Sequence, residues 1–143
     1  MTRDVLLAIE VEAEPKVVFD TIADPDGLAT FWTPDVRRED GDGRELSFGF
    51  EAAPTRLPAS VTAAETPSSI AWAFGGDWPS WPGTAASWSL ERTERGTKVV
   101  FRHGFPDTMP EFDFGSVTLT WALVVARLKG VVESGGAADP ALR

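Results

Sequence analysis

Apolar and polar residues alternate along most of the first hundred positions, which is the pattern of half-buried β-strands. The alternation predicts strands over residues 5–12, 35–39, 44–51, 57–65, 69–75, 84–93 and 97–105. Turns rich in glycine, aspartate and proline separate these segments at short spacing. Neighbouring strands are therefore expected to form an antiparallel sheet with one apolar face, and 35–39, short and charged, is expected at an edge.

Three segments have helical spacing instead. Two short helices are predicted over residues 15–23 and 25–32, and Asp24 is placed to cap the second. A long helix is predicted from Asp113 to the glycine pair 135–136. One face of it is apolar and comprises Val117, Trp121, Val124, Val125, Leu128 and Val132.

The outer side of the long helix is also apolar in its first half. Leu119 and Leu123 point away from Trp121, although a helix side that faces water is normally polar. Either the two short helices cover that side, or a second protomer does. Within one domain we expect the short helices to cover it, and the chain is expected to be a monomer or a homodimer.

The order of elements predicts an α+β fold. An antiparallel sheet must cover its apolar face, and the C-terminal helix is the one predicted element long enough to do so. A sheet of about six or seven strands would twist and curl around that helix. We expect a single domain over residues 1–136, followed by a flexible tail over 137–143.

The net charge limits the kinds of binding partner that we expect. The net charge is −9, and the 13 Lys and Arg residues are scattered, so neither nucleic acid nor an anionic membrane is an expected partner. The chain contains no cysteine, which excludes disulfides and thiolate chemistry. The opening residues do not have the pattern of a signal peptide, and no run of about 20 apolar residues is evident, so we expect a cytoplasmic protein without membrane insertion.

Three stretches of the chain carry a family resemblance. They are IEVEAEPKVVFDTIADPDGLATFWTPD (9–35), GTKVVFRHGF (96–105) and WALVVARLKGVVESG (121–135). In this order they resemble the START-like, or SRPBCC, superfamily, whose fold is the helix-grip of the birch-pollen-allergen type. The branch that is most similar is the C-terminal domain of the heat-shock chaperone ATPase activator.

The resemblance implies a deep, mostly apolar cavity between the sheet and the long helix. Members of the superfamily bind lipids, hormones or polyketides, and some cyclise aromatic polyketides. The chaperone regulator has a further N-terminal domain that engages the chaperone, and this chain starts directly at the first strand. A chaperone partner is therefore the less favoured expectation for this protein.

The sequence offers few residues for chemistry. There is no Gly-x-Ser-x-Gly, HExxH, GxGxxG or Walker A pattern, so we expect no catalytic triad, metal site or cofactor. His103 is the only histidine and lies in phase with Val99 and Phe101 on the inner face. It is the one candidate for catalysis, but we favour a structural or ligand-orienting histidine that burial keeps neutral.

The chain has six Trp and nine Phe but no Tyr, which favours a bulky core or an apolar cavity. Combined with the resemblance, the inward positions predict these ligand-binding residues: Trp32, Phe48, Phe50, Trp72, Phe74, Trp88, Phe101, His103, Trp121 and Val125. For any single ring, simple core filling is the alternative. The loop 76–83 carries Trp78 and Trp81, which would cover the cavity mouth, meet a second subunit or anchor the loop on the sheet.

We therefore predict a protein that binds a small hydrophobic molecule and catalyses no reaction, with a role in sensing or carrying in a stress or small-molecule pathway. Two alternatives come from other functional classes. One is an enzyme of the polyketide cyclase or aromatase type. The other is a protein-interaction module related to the chaperone regulator.

Overall fold

The computed structural model describes residues 2–134. The elements in chain order are β1 (Thr2–Val11), α1 (Pro15–Ala23), α2 (Pro25–Phe31), β2 (Asp35–Arg38), β3 (Glu45–Gly49), β4 (Leu57–Glu65), β5 (Ser69–Phe74), β6 (Ala85–Arg92), β7 (Thr97–Pro106) and α3 (Glu111–Glu133). The glycine pair 135–136 and the tail 137–143, for which we predicted a helix end and flexibility, lie outside the described residues.

All seven strands join one antiparallel sheet in the order β1-β7-β6-β5-β4-β3-β2. The first two strands lie at opposite edges, and α1 and α2 carry the chain from one edge to the other. The remaining strands are linked as hairpins, as the short turns indicated. The predicted α+β helix-grip architecture is confirmed.

Strand alternation determines which side chains face the interior. Along β7, Val99, Phe101, His103 and Phe105 are buried, whereas the residues between them are more exposed. In the register of the sheet, Phe101 lies opposite Trp88 of β6. The pattern is weaker in β4, where a bulge shifts the register between Val61 and Ala63 and the rest of the strand faces water.

The two short helices begin where proline and aspartate predict. Pro15 occupies the first turn of α1, and the Asp24 carboxylate accepts a hydrogen bond of 2.8 Å from the backbone N–H of Asp26 at the start of α2. Both helices contribute to the core, α1 through Ile22 and α2 through Phe31, among others. They therefore close the interior at the side of the sheet.

The long helix α3 begins at Glu111, two residues before the predicted start, because the loop ends at Pro110. Its buried residues are Trp121, Val124, Val125, Leu128, Val131 and Val132. Near its end, Lys129 Nζ donates to the Glu10 carbonyl oxygen (3.0 Å) and the Glu133 carboxylate accepts from the Glu12 backbone N–H (2.8 Å). These bonds hold the end of α3 against β1.

By length and composition alone, α3 is long and apolar enough to cross a bilayer, with a mean hydropathy of 1.3 over an 18-residue window. The same helix contributes to the core beneath the sheet. The apolar residues of its inner face are therefore accounted for by packing inside the fold.

The prediction that the short helices cover the outer side of α3 is wrong. Leu119 is 64% exposed and Leu123 is 51% exposed, and Phe112 in the first turn is 83% exposed. The reason is that α2 approaches the inner side of α3, where Trp32 at the end of α2 packs on Trp121. The outer face of α3 is thus an apolar surface of the protein.

Candidate functional site

Aromatic rings fill the interior between the sheet and α3. Trp32 contacts Phe48 with ring centroids 4.2 Å apart, Trp121 at 4.9 Å and Trp72 at 5.8 Å. Deeper in, Trp88 contacts Phe101 at 4.6 Å. Rings at these separations are in contact, so a ligand between them has to displace at least one ring.

The residues predicted for ligand binding come together in this interior. Nine of them belong to one connected cluster of rings: Trp32, Phe48, Phe50, Trp72, Phe74, Trp88, Phe101, His103 and Trp121. The tenth, Val125, is buried on the inner face of α3. The cluster also contains Phe31, Trp81 and Phe105, which the predicted site did not include.

A chain of hydrogen bonds runs through His103. Trp121 Nε1–H donates to His103 Nδ1 over 3.2 Å. Because an indole nitrogen only donates, Nδ1 must be the unprotonated nitrogen and the proton sits on Nε2. Nε2–H then donates to Thr84 Oγ1 (2.8 Å), and the Thr84 hydroxyl donates to the Trp81 carbonyl oxygen (2.7 Å). Both ring nitrogens of His103 are therefore occupied.

The surroundings of His103 keep it neutral. The side chain is fully buried, and the rings of Phe105, Trp81 and Phe74 lie 3.9, 4.8 and 5.0 Å from it, centroid to centroid. Burial lowers the pKa of His103 from 6.5 to about 3, because the charged imidazolium would lose its hydration. With no free nitrogen and a low pKa, His103 links the sheet, the β5–β6 loop and α3.

The loop between β5 and β6 folds back onto the interior. Trp81 is only 9% exposed and packs against His103, Phe105 and Trp121. The loop leaves β5 through Gly76, whose φ of +82° is in the left-handed region and whose added Cβ would lie 2.7 Å from Pro58 Cδ. Trp81 is thus a core residue supplied by a loop.

A closed circuit of five rings surrounds one end of the interior. Consecutive centroid distances are 5.8 Å from Trp32 to Phe50, 5.4 Å to Trp78, 5.4 Å to Trp81, 6.3 Å to Trp121 and 4.9 Å back to Trp32. We call these residues the five-ring circuit. Trp32, Phe50 and Trp78 are only partly buried, so the circuit reaches from the surface to the core.

Three pockets open near these rings. One of about 410 Å³ lies beside the circuit between residues 52–55 and the Trp78–Trp81 loop. A second, of about 510 Å³, lies on the other side of residues 53–55, with Phe50 and Arg56 in its wall. A third, of about 310 Å³, lies between α1 and the β4 bulge and reaches Trp72. The interior is therefore flanked by ligand-sized spaces.

One buried polar atom of the interior is unpaired. Trp88 is fully buried, and its Nε1–H has no hydrogen-bond partner among residues 2–134. The indole N–H of Trp121, by contrast, is paired with His103, and that of Trp78 donates to the Thr55 carbonyl oxygen at 3.1 Å. Nothing in the sequence distinguishes Trp88 from the other tryptophans in this respect.

The acidic side chains do not form a cation site in the described part of the chain. Within residues 2–134, no group of three or more His, Asp or Glu side chains is placed to hold a metal ion. Asp35 is instead paired with Arg56, whose Nη1 donates to its carboxylate at 2.6 Å. The hydrogen bond from Arg56 lowers the pKa of Asp35 at this exposed sheet edge.

Similar folds occur among solved structures. The Aha1 dimer from Colwellia psychrerythraea, solved in solution, is 27% identical with a TM-score of 0.80, over 93% of this chain and 98% of that one. The protein Ara h 8.0201 is 15% identical with a TM-score of 0.73, over 94% and 99%. DynU16, from the dynemicin biosynthetic locus, is 19% identical with a TM-score of 0.75, over 93% and 48%.

A search of curated protein sequences found no significant match. The family model described as "Polyketide cyclase / dehydrase and lipid transport", in contrast, matches residues 2–138, which is nearly the whole chain. The resemblance to the SRPBCC superfamily is thereby confirmed, and the chain belongs to its polyketide cyclase/dehydrase and lipid transport family.

Proposed function

We propose that this protein binds a small, largely apolar molecule, such as a lipid or a polyketide, between the sheet and α3. One observation carries the proposal: contacting rings run without interruption from the partly buried Trp32 through Trp72 to the fully buried Trp88. Apolar walls with few polar groups are typical of ligand pockets. The description of the family, which includes lipid transport and polyketide cyclases, supports the same class of ligand.

Trp32 is the ring that would move to admit the ligand. It follows a helix of seven residues, and it is partly buried although it contacts four other rings. A helix this short gains little stability from its own hydrogen bonds, so its end can rearrange at low cost. We therefore place the entrance at Trp32, on the side of the five-ring circuit where it contacts the partly buried Phe50.

Binding without catalysis agrees better with the interior than a cyclase reaction does. A cyclase needs a titratable group that faces the substrate. Among the residues described as buried, His103 is the only ionisable one, and hydrogen bonds occupy both of its nitrogens. We propose that the protein carries or senses its ligand in the cytoplasm.

The binding proposal can be tested on protein purified from its host. Native mass spectrometry should reveal an added mass, and a panel of lipids and aromatic polyketides should quench tryptophan fluorescence. W32A should weaken binding at least about tenfold because it removes a central aromatic contact. L6A, which removes an exposed apolar side chain of β1, is the control. Absence of both retained mass and quenching would rule out the proposed function.

We also propose that the protein forms a homodimer through the outer face of α3. Phe112, Leu119 and Leu123 are exposed there at spacings of seven and four residues, on one side of the helix. The Colwellia psychrerythraea relative was solved as a dimer, which supports a partner of the same chain.

Light scattering after size-exclusion chromatography tests the dimer. The wild-type protein should elute with the mass of two chains, and L123E should elute as a monomer because it places a charge in the interface. L6E is the control, since Leu6 on β1 is similarly exposed (54%, against 51% for Leu123) but lies on another element. A wild-type monomer at high micromolar concentration would contradict this interface.

A further inference from the structure

Trp88 lies on an interior strand of the curved sheet. It lies on β6, with Ile70 of β5 opposite it on one side and Phe101 of β7 on the other. The rings of Phe31, Trp72 and Phe101 pack around it at centroid distances of 6.3, 6.1 and 4.6 Å. Its N–H group is therefore buried in a part of the interior that is built largely from aromatic rings.

An unpaired donor in such a place is unusual. Most buried polar groups in proteins have a hydrogen-bond partner, because a buried group without one has lost its bond to water and gained nothing. Several other polar groups of the interior are bonded: the Trp121 N–H, both His103 nitrogens and the Thr84 hydroxyl. Among the described residues, Trp88 Nε1 and Arg3 Nε on β1 are the two buried polar side-chain atoms without a partner, and of these Trp88 lies in the predicted binding region.

We propose that Trp88 Nε1–H is the polar anchor of the ligand and donates a hydrogen bond to an acceptor oxygen on an otherwise apolar molecule. This inference rests on the proposed function, and it adds the chemical class of the ligand. The path to the donor is the ring series Trp32, Trp72, Trp88, in which Trp32 stacks on Trp72 at 5.8 Å and Trp72 meets Trp88 at 6.1 Å.

The surroundings also select the kind of acceptor. An indole donates but does not accept, so the ligand must supply the lone pair. A carboxylate at this position would need a cation, and the buried residues of the described chain include no Lys or Arg, while His103 is neutral. The site therefore favours a neutral oxygen, such as the carbonyl of an aromatic ketone or polyketide, over the ionised head of a fatty acid.

A matched pair of probes tests the anchor. The hydrocarbon tetralin and the ketone 1-tetralone have the same ring skeleton, and only the ketone can accept a hydrogen bond. The quantity to measure is the ratio of their dissociation constants, in the wild-type protein, in W88F and in W72F. W88F removes the donor; W72F makes the same change in a neighbouring ring.

We expect W88F to shift this ratio about tenfold against the ketone, because the buried carbonyl then lacks its donor. W72F should change both dissociation constants in the same proportion. An unchanged ratio in W88F would overturn the anchor and leave apolar binding intact. Failure of both probes to bind the wild-type protein would overturn the binding function and the anchor together.

A second measurement needs no variant. In a ¹H–¹⁵N spectrum of the wild-type protein, 1-tetralone should move the indole proton resonance of Trp88 downfield, and tetralin should not. Equal shifts with both probes would mean that the donor points at an aromatic face or a water molecule rather than at the ligand. That result would also overturn the anchor.

Discussion

The interior has two halves, one around His103 and one around Trp88. Both are lined by aromatic rings, but they differ in how their polar groups are hydrogen-bonded. Around His103, both ring nitrogens, the Trp121 N–H and the Thr84 hydroxyl have partners, and these hydrogen bonds join α3, β7 and the β5–β6 loop. The buried Trp88 Nε1–H, by contrast, has no partner among residues 2–134. The hydrogen bonds of the His103 half therefore favour a single arrangement of its side chains, whereas the Trp88 half retains a donor that can still form a hydrogen bond.

Exposure divides the two halves in the same way. At the surface end of the His103 half, Trp81 is nearly buried, so the β5–β6 loop seals that end. At the surface end of the Trp88 half, Trp32 is only partly buried and lies at the end of a short helix. Stability and ligand entry are thus expected to depend on different rings of the same cluster, which mutation can test.

The largest difference should appear between the two tryptophans of the β5–β6 loop. W81A should lower the free energy of unfolding by about 3–5 kcal/mol, because it empties a packed site beside His103 and Trp121. W78A is the matched control and should cost clearly less, since Trp78 is partly buried and has one hydrogen bond, to Thr55. Urea denaturation measures both, and equal costs would show that the loop does not seal the His103 half.

Much of the fold was predictable because it depends on local patterns. Pro15 and the Asp24-Pro25 pair marked the bounds of α1 and the start of α2, and strand alternation placed His103 on the inner face of β7. The covering of the outer face of α3 was predicted wrongly. Periodicity shows that Leu119 lies on an apolar face, but it does not show what packs there.

The site was predictable as a set of rings but not as an arrangement of bonds. Trp81 lies in a loop, where no hydrophobic periodicity indicates which side chains are buried. The partners of His103 are 18 and 19 residues away in the chain, Trp121 on α3 and Thr84 at the end of the β5–β6 loop. The unpaired Trp88 N–H has no signal in the sequence, because it follows from how three neighbouring strands and α2 pack.

A second prediction compares two fully buried indoles. W121F and W88F each replace a core tryptophan by the smaller phenylalanine, so the loss of ring area is similar. W121F also leaves His103 Nδ1 without its donor, whereas W88F removes a donor that had no partner. W121F should therefore cost about 1–3 kcal/mol more in the free energy of unfolding. Equal costs in denaturation experiments would mean that the two halves do not differ.

The smallest expected effect is a change of stability with pH, and it tests the His103 half alone. The pKa of His103 is lowered to about 3 in the folded protein, so below its ordinary value of 6.5 the unfolded chain binds a proton that the folded protein does not. Stability therefore falls as pH decreases through that window, by about 1 kcal/mol between pH 6 and pH 5. Asp35 and Glu133 titrate lower, because their pKa values are depressed below 3.8 and 4.5. Denaturation midpoints at pH 6 and pH 5 should thus differ in the wild-type protein and hardly differ in H103Q. A similar loss in H103Q would assign the proton uptake to another group, and the neutral, fully bonded His103 would no longer set the two halves apart.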